Sequence, residues 1–195
     1  MLQHYLVAAV VSYLLGSVPF GFLIAKLKGV DLRSSGSGNI GATNVYRVVG
    51  KREGLITLVL DVAKGTIPVV IFSLIFPKEQ YINVISGFSA VLGHDFSVFL
   101  RFRGGKGVAT SYGVTLPVYP LASLVGIFIW ITILLTTRLS SLAALLSFLI
   151  ATLIALSSPD YIVRIFFIVL YILMVFKHKD NLKRLFSKEE NRIKI

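Results

Sequence analysis

Long apolar runs separated by short polar patches dominate this chain. The runs fall at about residues 2–25, 55–76, 81–100, 121–137, 139–156 and 161–176. Most approach the ~17–25 residues that a helix needs to cross a bilayer. The first run has no basic segment ahead of it and is followed by Lys26 and Lys28. It therefore reads as an anchor with its N-terminus outside, not as a cleavable leader. A shorter apolar stretch, 107–118, is closed off by Pro117 and Pro120. Pro19 and Pro68 are expected to mark helix kinks.

Composition assigns the runs to lipid. Of 195 residues, 55% are hydrophobic and only 15% charged, too few charges for a soluble domain of this size. Cysteine is absent, which removes disulfides, thiolate nucleophiles and soft-metal sites together. His4, His94 and His178 have no clustered carboxylates, so neither a metal nor a cofactor is expected.

Charge sets the topology. Twenty Lys and Arg face nine Asp and Glu, a net +11. The cations are grouped: Lys26, Lys28, Arg33, Arg47, Lys51 and Arg52; then Arg101, Arg103 and Lys106; then a tail of Lys177, Lys179, Lys183, Arg184, Lys188, Arg192 and Lys194. The positive-inside rule puts all three groups in the cytoplasm and the turns 77–80 and 157–160 outside. Six crossings would leave the tail on the wrong side. The parity is repaired if 107–118, roughly 18 Å of helix, is a short protein-packed crossing. The expected fold is all-α, a polytopic membrane bundle of seven transmembrane helices, N-terminus out and C-terminus in, forming one domain over 1–195. Six spans with a re-entrant segment is the alternative. In the tail, Leu182, Leu185 and Phe186 are placed to dip into lipid while the lysines meet anionic head groups, and Lys188, Arg192 and Lys194 serve as topology anchors.

Two polar loops carry the chemistry. The first, Arg33-Ser-Ser-Gly-Ser-Gly-Asn-Ile-Gly-Ala-Thr-Asn-Val-Tyr-Arg47, concentrates small residues, hydroxyls and carboxamides beside the bilayer. Ser35, Ser37, Gly38, Asn39, Thr43 and Asn44 can approach or donate to an oxyanion, and Arg47 can bind one bidentately. Ser37 or Asn39 also reads as the cap of a helix running through Arg47, which is compatible with an anion site. The second loop, Arg103-Gly-Gly-Lys-Gly107, opens onto the short helix, so Gly104, Gly105 and Gly107 would present N–H groups and the helix dipole to an anion beside Lys106, with Arg101 near and Arg103 as a further substrate-binding residue. It lacks the leading glycine and the Ser/Thr of a Walker A loop, so no nucleoside triphosphate is implied. His178 and Asn181 would share a face if the last helix continued past Lys177. Asp61 and Lys64 form an i, i+3 pair inside an apolar span, expected as a salt bridge supporting the site.

The runs Gly36-Ser-Gly-Asn-Ile-Gly-Ala-Thr-Asn44, Asp61-x-x-Lys64-Gly65, Gly93-His94, Phe102-Arg-Gly-Gly-Lys-Gly-Val-Ala-Thr110 and His178-x-x-Asn181-x-x-Arg184-Leu185, in this order, resemble the PlsY family over nearly the whole chain. These are bacterial membrane acyltransferases that acylate glycerol 3-phosphate from acyl-phosphate. The chain departs from the family pattern at Leu32 and Ser97, where prolines are usual, and at Lys188, where a glycine usually sits two residues before Glu190.

The resemblance implies a multi-pass protein of the bacterial cytoplasmic (inner) membrane with its active site facing the cytoplasm. It would move an acyl group to the 1-hydroxyl of glycerol 3-phosphate, giving lysophosphatidic acid and phosphate. Ser37, Arg47, Lys106, His178 and Asn181 are the expected catalytic residues, and Asp61, Lys64 and Glu190 the structural support. The turn 104–107 would hold glycerol 3-phosphate with His178 and Asn181. Ser37, Asn39, Asn44 and Arg47 would hold acyl-phosphate, its chain lying among membrane lipid. His178 and a substrate phosphate are alternative proton acceptors. Ser37 as a covalent carrier lacks a His–Asp partner. No histidine has Asp five residues on, which excludes an H-x-x-x-x-D mechanism. Nucleic acid is not an expected partner. A rival expectation is an organic-phosphate transporter, disfavoured because the polar motifs cluster at one face and no repeat is visible.

Overall fold

The computed structural model describes residues 1–193; Lys194, counted above in the basic tail, and Ile195 lie outside the described residues. Among the described residues every element is helical: α1 Leu2–Ser17, α2 Phe20–Leu27, α3 Ala42–Val48, α4 Lys51–Ile75, α5 Ile82–Asp95, a 3-10 turn Val98–Leu100, α6 Val108–Thr115, α7 Pro120–Thr137, α8 Ser140–Ala155, α9 Tyr161–Lys177 and α10 Lys179–Phe186. The chain packs as two compact units, Met1–Val118 and Tyr119–Ile195. By length and apolarity, Leu2–Leu27, Lys51–Ile75, Ile82–Leu100 and Pro120–Thr137 can each cross a membrane, and α9 with α10 forms a further pair bent by 64°.

In the first unit the apolar run predicted as one anchor breaks at Val18–Pro19, because proline at 19 leaves carbonyls before it without helical donors. Buried side chains occupy them. The Ser97 hydroxyl donates to the Ser17 carbonyl at 2.6 Å, and the Lys64 ammonium to the Val18 carbonyl at 2.8 Å. A broken helix at membrane depth requires such partners. Small residues bring α1 and α5 close: Ser12 and Ser86 share a hydrogen bond of 2.9 Å, and a Cβ on Gly16 or Gly93 would collide with the carbonyl of Ala90 or Tyr13. Near the chain start, His4 stacks on Phe76 with centroids 4.3 Å apart and meets Glu79 at 3.0 Å.

The span predicted at 81–100 is helical only to Asp95, then turns through Ser97 into the 3-10 segment. The short helix expected at 107–118 forms over Val108–Thr115, with Thr110 through Thr115 buried. Eight residues rise about 12 Å, so α6 is a protein-packed element rather than a free-standing span.

The second unit is a more apolar assembly. Phe148, Phe166 and Phe167 are buried together, with rings of Phe148 and Phe167 stacked at 6.0 Å. The final helix does not continue through residue 181 as the i, i+3 reading required. It ends at Lys177, His178 is non-helical, and α10 departs at 64°. Nor does the tail serve only as an anchor: the Ile193 amide donates to the Arg138 carbonyl at 2.9 Å, folding the end of the chain back, while Phe186 stays 86% exposed.

Candidate active site

The first loop is organised around one carboxamide. Asn44, 2% exposed, donates through Nδ2 to the carbonyls of Asn39 (2.8 Å) and Ser35 (3.1 Å). Its Oδ1 accepts from the Ser37 amide at 2.9 Å and from Arg47 Nη1 at 3.5 Å. Asn44 is therefore occupied with the loop itself, and what it offers a ligand is the loop's shape and the aim of Arg47. Gly36 and Gly38 adopt φ of 61° and 71°, and a Cβ on Gly36 would strike the Asn44 carboxamide. Neither Ser37 nor Asn39 caps the following helix: its N-cap is Gly41, whose amide donates to Asn39 Oδ1 at 3.3 Å. Ser35, Ser37, Asn39 and Thr43 all remain partly accessible.

The second loop is held against the end of α5. The amides of Gly104 and Gly105 donate to the carbonyls of Asp95 (3.2 Å) and His94 (2.9 Å), so these two N–H groups point into the protein. Their glycines serve close approach, since a Cβ at 104 would meet the His94 carbonyl and one at 105 the His94 ring. Gly107 caps α6 at φ 67°, packed on the Asp95 carboxylate. The paired glycines therefore have no amide left to offer an anion, and the donors this segment could offer are Lys106 and the first turn of α6. His94 and Asp95 were not singled out from sequence as site residues. Their adjacency to the turn is long-range, and only the Gly93-His94 pair in the motif hinted at it.

One helix carries both loops. The buried residues of α4, Gly54, Thr57, Asp61, Lys64, Gly65, Pro68, Val69 and Phe72, recur at three- and four-residue steps and form a single stripe. At Gly54 the stripe receives α3, where a Cβ would lie 2.5 Å from that of Tyr46. At Gly65 it receives α6, where a Cβ would lie 2.6 Å from the Thr110 carbonyl. Positions 54 and 65 are about three turns apart, hence on one face and roughly 16 Å apart along the axis. Two further hydrogen bonds fix α6 there: Thr110 Oγ1 to the Asp61 carbonyl at 3.1 Å and Thr66 Oγ1 to the Gly113 carbonyl at 2.8 Å. Asp61 and Lys64 pair at 2.8 Å, both nearly inaccessible, with His94 Nδ1 at 3.7 Å from the same carboxylate oxygen. The loops also touch directly, because the Arg33 guanidinium donates to the Arg103 carbonyl. Burial and the neighbouring Arg103 both push the Arg33 guanidinium below its ordinary pKa.

The second unit holds its own polar cluster. His178, 3% exposed, places Nδ1 2.8 Å from the Met174 carbonyl. A carbonyl only accepts, so Nδ1 carries the proton and Nε2 holds the lone pair in the neutral ring. Glu190 accepts from Asn181 Nδ2 (2.6 Å), Arg184 Nε (2.9 Å) and Ser141 Oγ (3.0 Å). Lys188, at the position where the family pattern has glycine, takes φ 60°. Among the described residues no three His, Cys, Asp or Glu side chains are grouped to hold a metal ion.

Apolar helices of membrane-crossing length, with polar chemistry gathered on the segments between and beyond them, define a polytopic helical membrane protein. The family profile described as "Glycerol-3-phosphate acyltransferase" matches residues 6–188, and the chain belongs to that family. It is 41% identical to the glycerol-3-phosphate acyltransferase of Pseudothermotoga lettingae, over 97% of this chain and 94% of the relative. It is 43% identical to that of Aquifex aeolicus, over 93% and 95%. Among solved structures it resembles PlsY (YgiH), an integral membrane glycerol 3-phosphate acyltransferase, in its glycerol 3-phosphate form, with TM-score 0.92, 41% identity and coverage of 97% of this chain and 96% of that one. The lysophosphatidic acid form of PlsY gives TM-score 0.89 at 40% identity, over 97% and 95%.

Proposed function

We propose that the chain transfers a fatty acyl group from acyl-phosphate to the 1-hydroxyl of glycerol 3-phosphate, releasing lysophosphatidic acid and inorganic phosphate. The observation that carries this reading is the mounting of both glycine-rich loops on one face of α4, tied to each other through Arg33 and Arg103. Each phosphate brings a charge of about −1.5 to −2 near neutral pH, which a single cation does not offset. Lys106 and the α6 N-terminus are assigned to glycerol 3-phosphate. Arg47, Ser37 and Asn39, on the loop shaped by Asn44, are assigned to acyl-phosphate and to the oxyanion formed from its carbonyl.

In the reaction the 1-hydroxyl oxygen attacks the acyl carbonyl carbon, and the tetrahedral adduct then breaks the bond to the phosphate oxygen. Phosphate is a good leaving group from this mixed anhydride, so orientation is the main demand on the protein. The hydroxyl proton goes to His178 Nε2, a role supported by the Nδ1 contact with Met174; Asn181 is assigned to substrate binding, with Glu190 orienting it. These second-unit assignments rest on the motif and on geometry within that unit.

The same reading gives seven crossings with the N-terminus out and the C-terminus in, and an active site on the cytoplasmic side of a bacterial inner membrane. The absence of cysteine makes that testable directly. Single-cysteine variants Lys28→Cys and Lys78→Cys should label with an impermeant maleimide from opposite sides, and same-side labelling would overturn the orientation.

The activity is tested with purified protein, glycerol 3-phosphate, and acyl-phosphate or acyl-CoA in parallel. Lysophosphatidic acid with phosphate release from acyl-phosphate alone is expected; product from acyl-CoA alone overturns the donor. Uptake of glycerol 3-phosphate into vesicles without acylated product would favour a transporter. Full turnover of His178→Gln at saturating substrate would move the proton to a substrate phosphate.

A further inference from the structure

Between the 3-10 turn and the first loop lies an open groove of about 440 Å³ lined by Arg33, Phe99, Leu100, Arg101 and Arg103. Its volume falls within the ~300–1,000 Å³ of ordinary ligand sites. No carboxylate lines it, and none of its arginines forms an ion pair among the described residues. The one hydrogen bond across it, from Arg33 to the Arg103 carbonyl, draws two cations together instead of neutralising either. Burial first, and then the neighbouring Arg103, lower the pKa of Arg33, while Asp31 partly opposes them. A concave site lined by three guanidiniums, with Asp31 beside Arg33 as the one nearby carboxylate that acts on them, is complementary to a multiply charged oxyanion.

Two further features bear on the occupant. Phe99 and the adjacent Phe102 are 59% and 61% exposed, an apolar shelf beside the cations that a fully soluble anion would leave in water. Arg101 and Phe102 both hold left-handed backbone, φ 52° and 61°, which is rare for such side chains. The turn is held by Phe102 N to Ser97 O at 2.8 Å and Arg103 N to Leu100 O at 3.1 Å. Aromatic and basic residues side by side on one turn are a pairing characteristic of the membrane–water interface.

We infer that this groove binds the phosphate-monoester headgroup of a membrane lipid, phosphate against Arg33, Arg101 and Arg103 and the glycerol–acyl junction against Phe99 and Phe102. A monoester is favoured over a diester because three cations gain more from a charge approaching −2 than from −1. Arg101, Phe99 and Phe102 stand outside the residues assigned to the reaction, whereas Arg33 and Arg103 also tie the two loops together.

The test is thermal unfolding of the full chain in phosphatidylcholine nanodiscs doped with phosphatidic acid, with phosphatidylglycerol, or with inorganic phosphate in the buffer. Phosphatidic acid should raise Tm at mole fractions where phosphatidylglycerol and free phosphate do little. Arg101→Asn removes one charge and installs a residue suited to left-handed backbone, so the variant should fold, and it should need about five-fold more phosphatidic acid. Adding Arg33→Gln should bring the factor to about thirty. Lys106→Ala should keep the full effect. Equal shifts from both lipids or from free phosphate, an undiminished shift in Arg101→Asn, or loss of the shift in Lys106→Ala would each overturn the inference.

Discussion

α4 and α7 have equal mean hydropathy over their most apolar stretches, yet 39% of that stretch is buried in α4 and 17% in α7. The difference lies in the minority residues. α4 interleaves Gly54, Thr57, Asp61, Lys64 and Gly65 along one stripe, and other helices close on it. α7 buries only Ala122, Ser123 and Gly126, leaving Leu124, Phe128 and Leu135 exposed, the surface expected of a lipid-facing span. Hydropathy thus identifies both as membrane helices but does not say which is scaffold. The periodic small and polar positions do.

Substitutions can break or sharpen this contrast. Lys106→Ala, on the segment that α4 supports through α6, should lower turnover about 10²-fold or more while the protein still folds. Leu124→Ala on α7 should leave turnover unchanged and stability within about 0.5 kcal/mol. Equal losses in the two variants, by initial rate and thermal unfolding, would remove the distinction.

Asp61→Leu should cost about 3–5 kcal/mol because it leaves the Lys64 ammonium buried without its carboxylate, and adding Lys64→Met should recover only part of that loss, since the Val18 carbonyl then loses its donor. Denaturant titration of the single and double variants reads the difference. If they are equally unstable, the pair is not the unit of stability. Gly65→Leu forces a side chain against the Thr110 carbonyl and should destabilise by about 1–3 kcal/mol, whereas Ile131→Leu on exposed α7 should move Tm little.

In the second unit Lys188→Gly should gain up to ~1 kcal/mol by relieving left-handed backbone, read as a higher Tm. The smallest effect is a pH dependence at the other end of the chain. Hydrogen bonds from His4 and Tyr5 hold the Glu79 carboxyl below its ordinary value of 4.5. A carboxyl depressed in the folded state stabilises above that value, and the contribution fades as pH falls through the lower folded pKa. Glu79→Gln should flatten that acid limb of the Tm–pH curve.

Much of this was visible in the residue pattern. The spans now seen as α4, α5, α7, α8 and α9 follow from apolar run length, and the break in the first run from Pro19. The two loops announce themselves by glycine, amide and hydroxyl density. What escaped depends on partners distant in sequence. Nothing local tells that Gly104 and Gly105 donate to Asp95 and His94, or that Glu190 gathers Asn181, Arg184 and Ser141. The bend at His178 was hidden because helix-forming sequence lies on both sides of it, up to Lys177 and from Lys179 on. Ser37 and Asn39 looked like caps because the same side chains that cap helices also organise glycine turns.

The mounting of α3 and α6 on one face of α4 has a mechanical corollary. When a bilayer thins or thickens, spans answer by tilting. Because both loops ride on the same shaft, a tilt of α4 carries them as a rigid pair and leaves the spacing between them unaltered. Catalytic rate measured across lipids of graded chain length should accordingly vary far less than the orientation of the helices themselves.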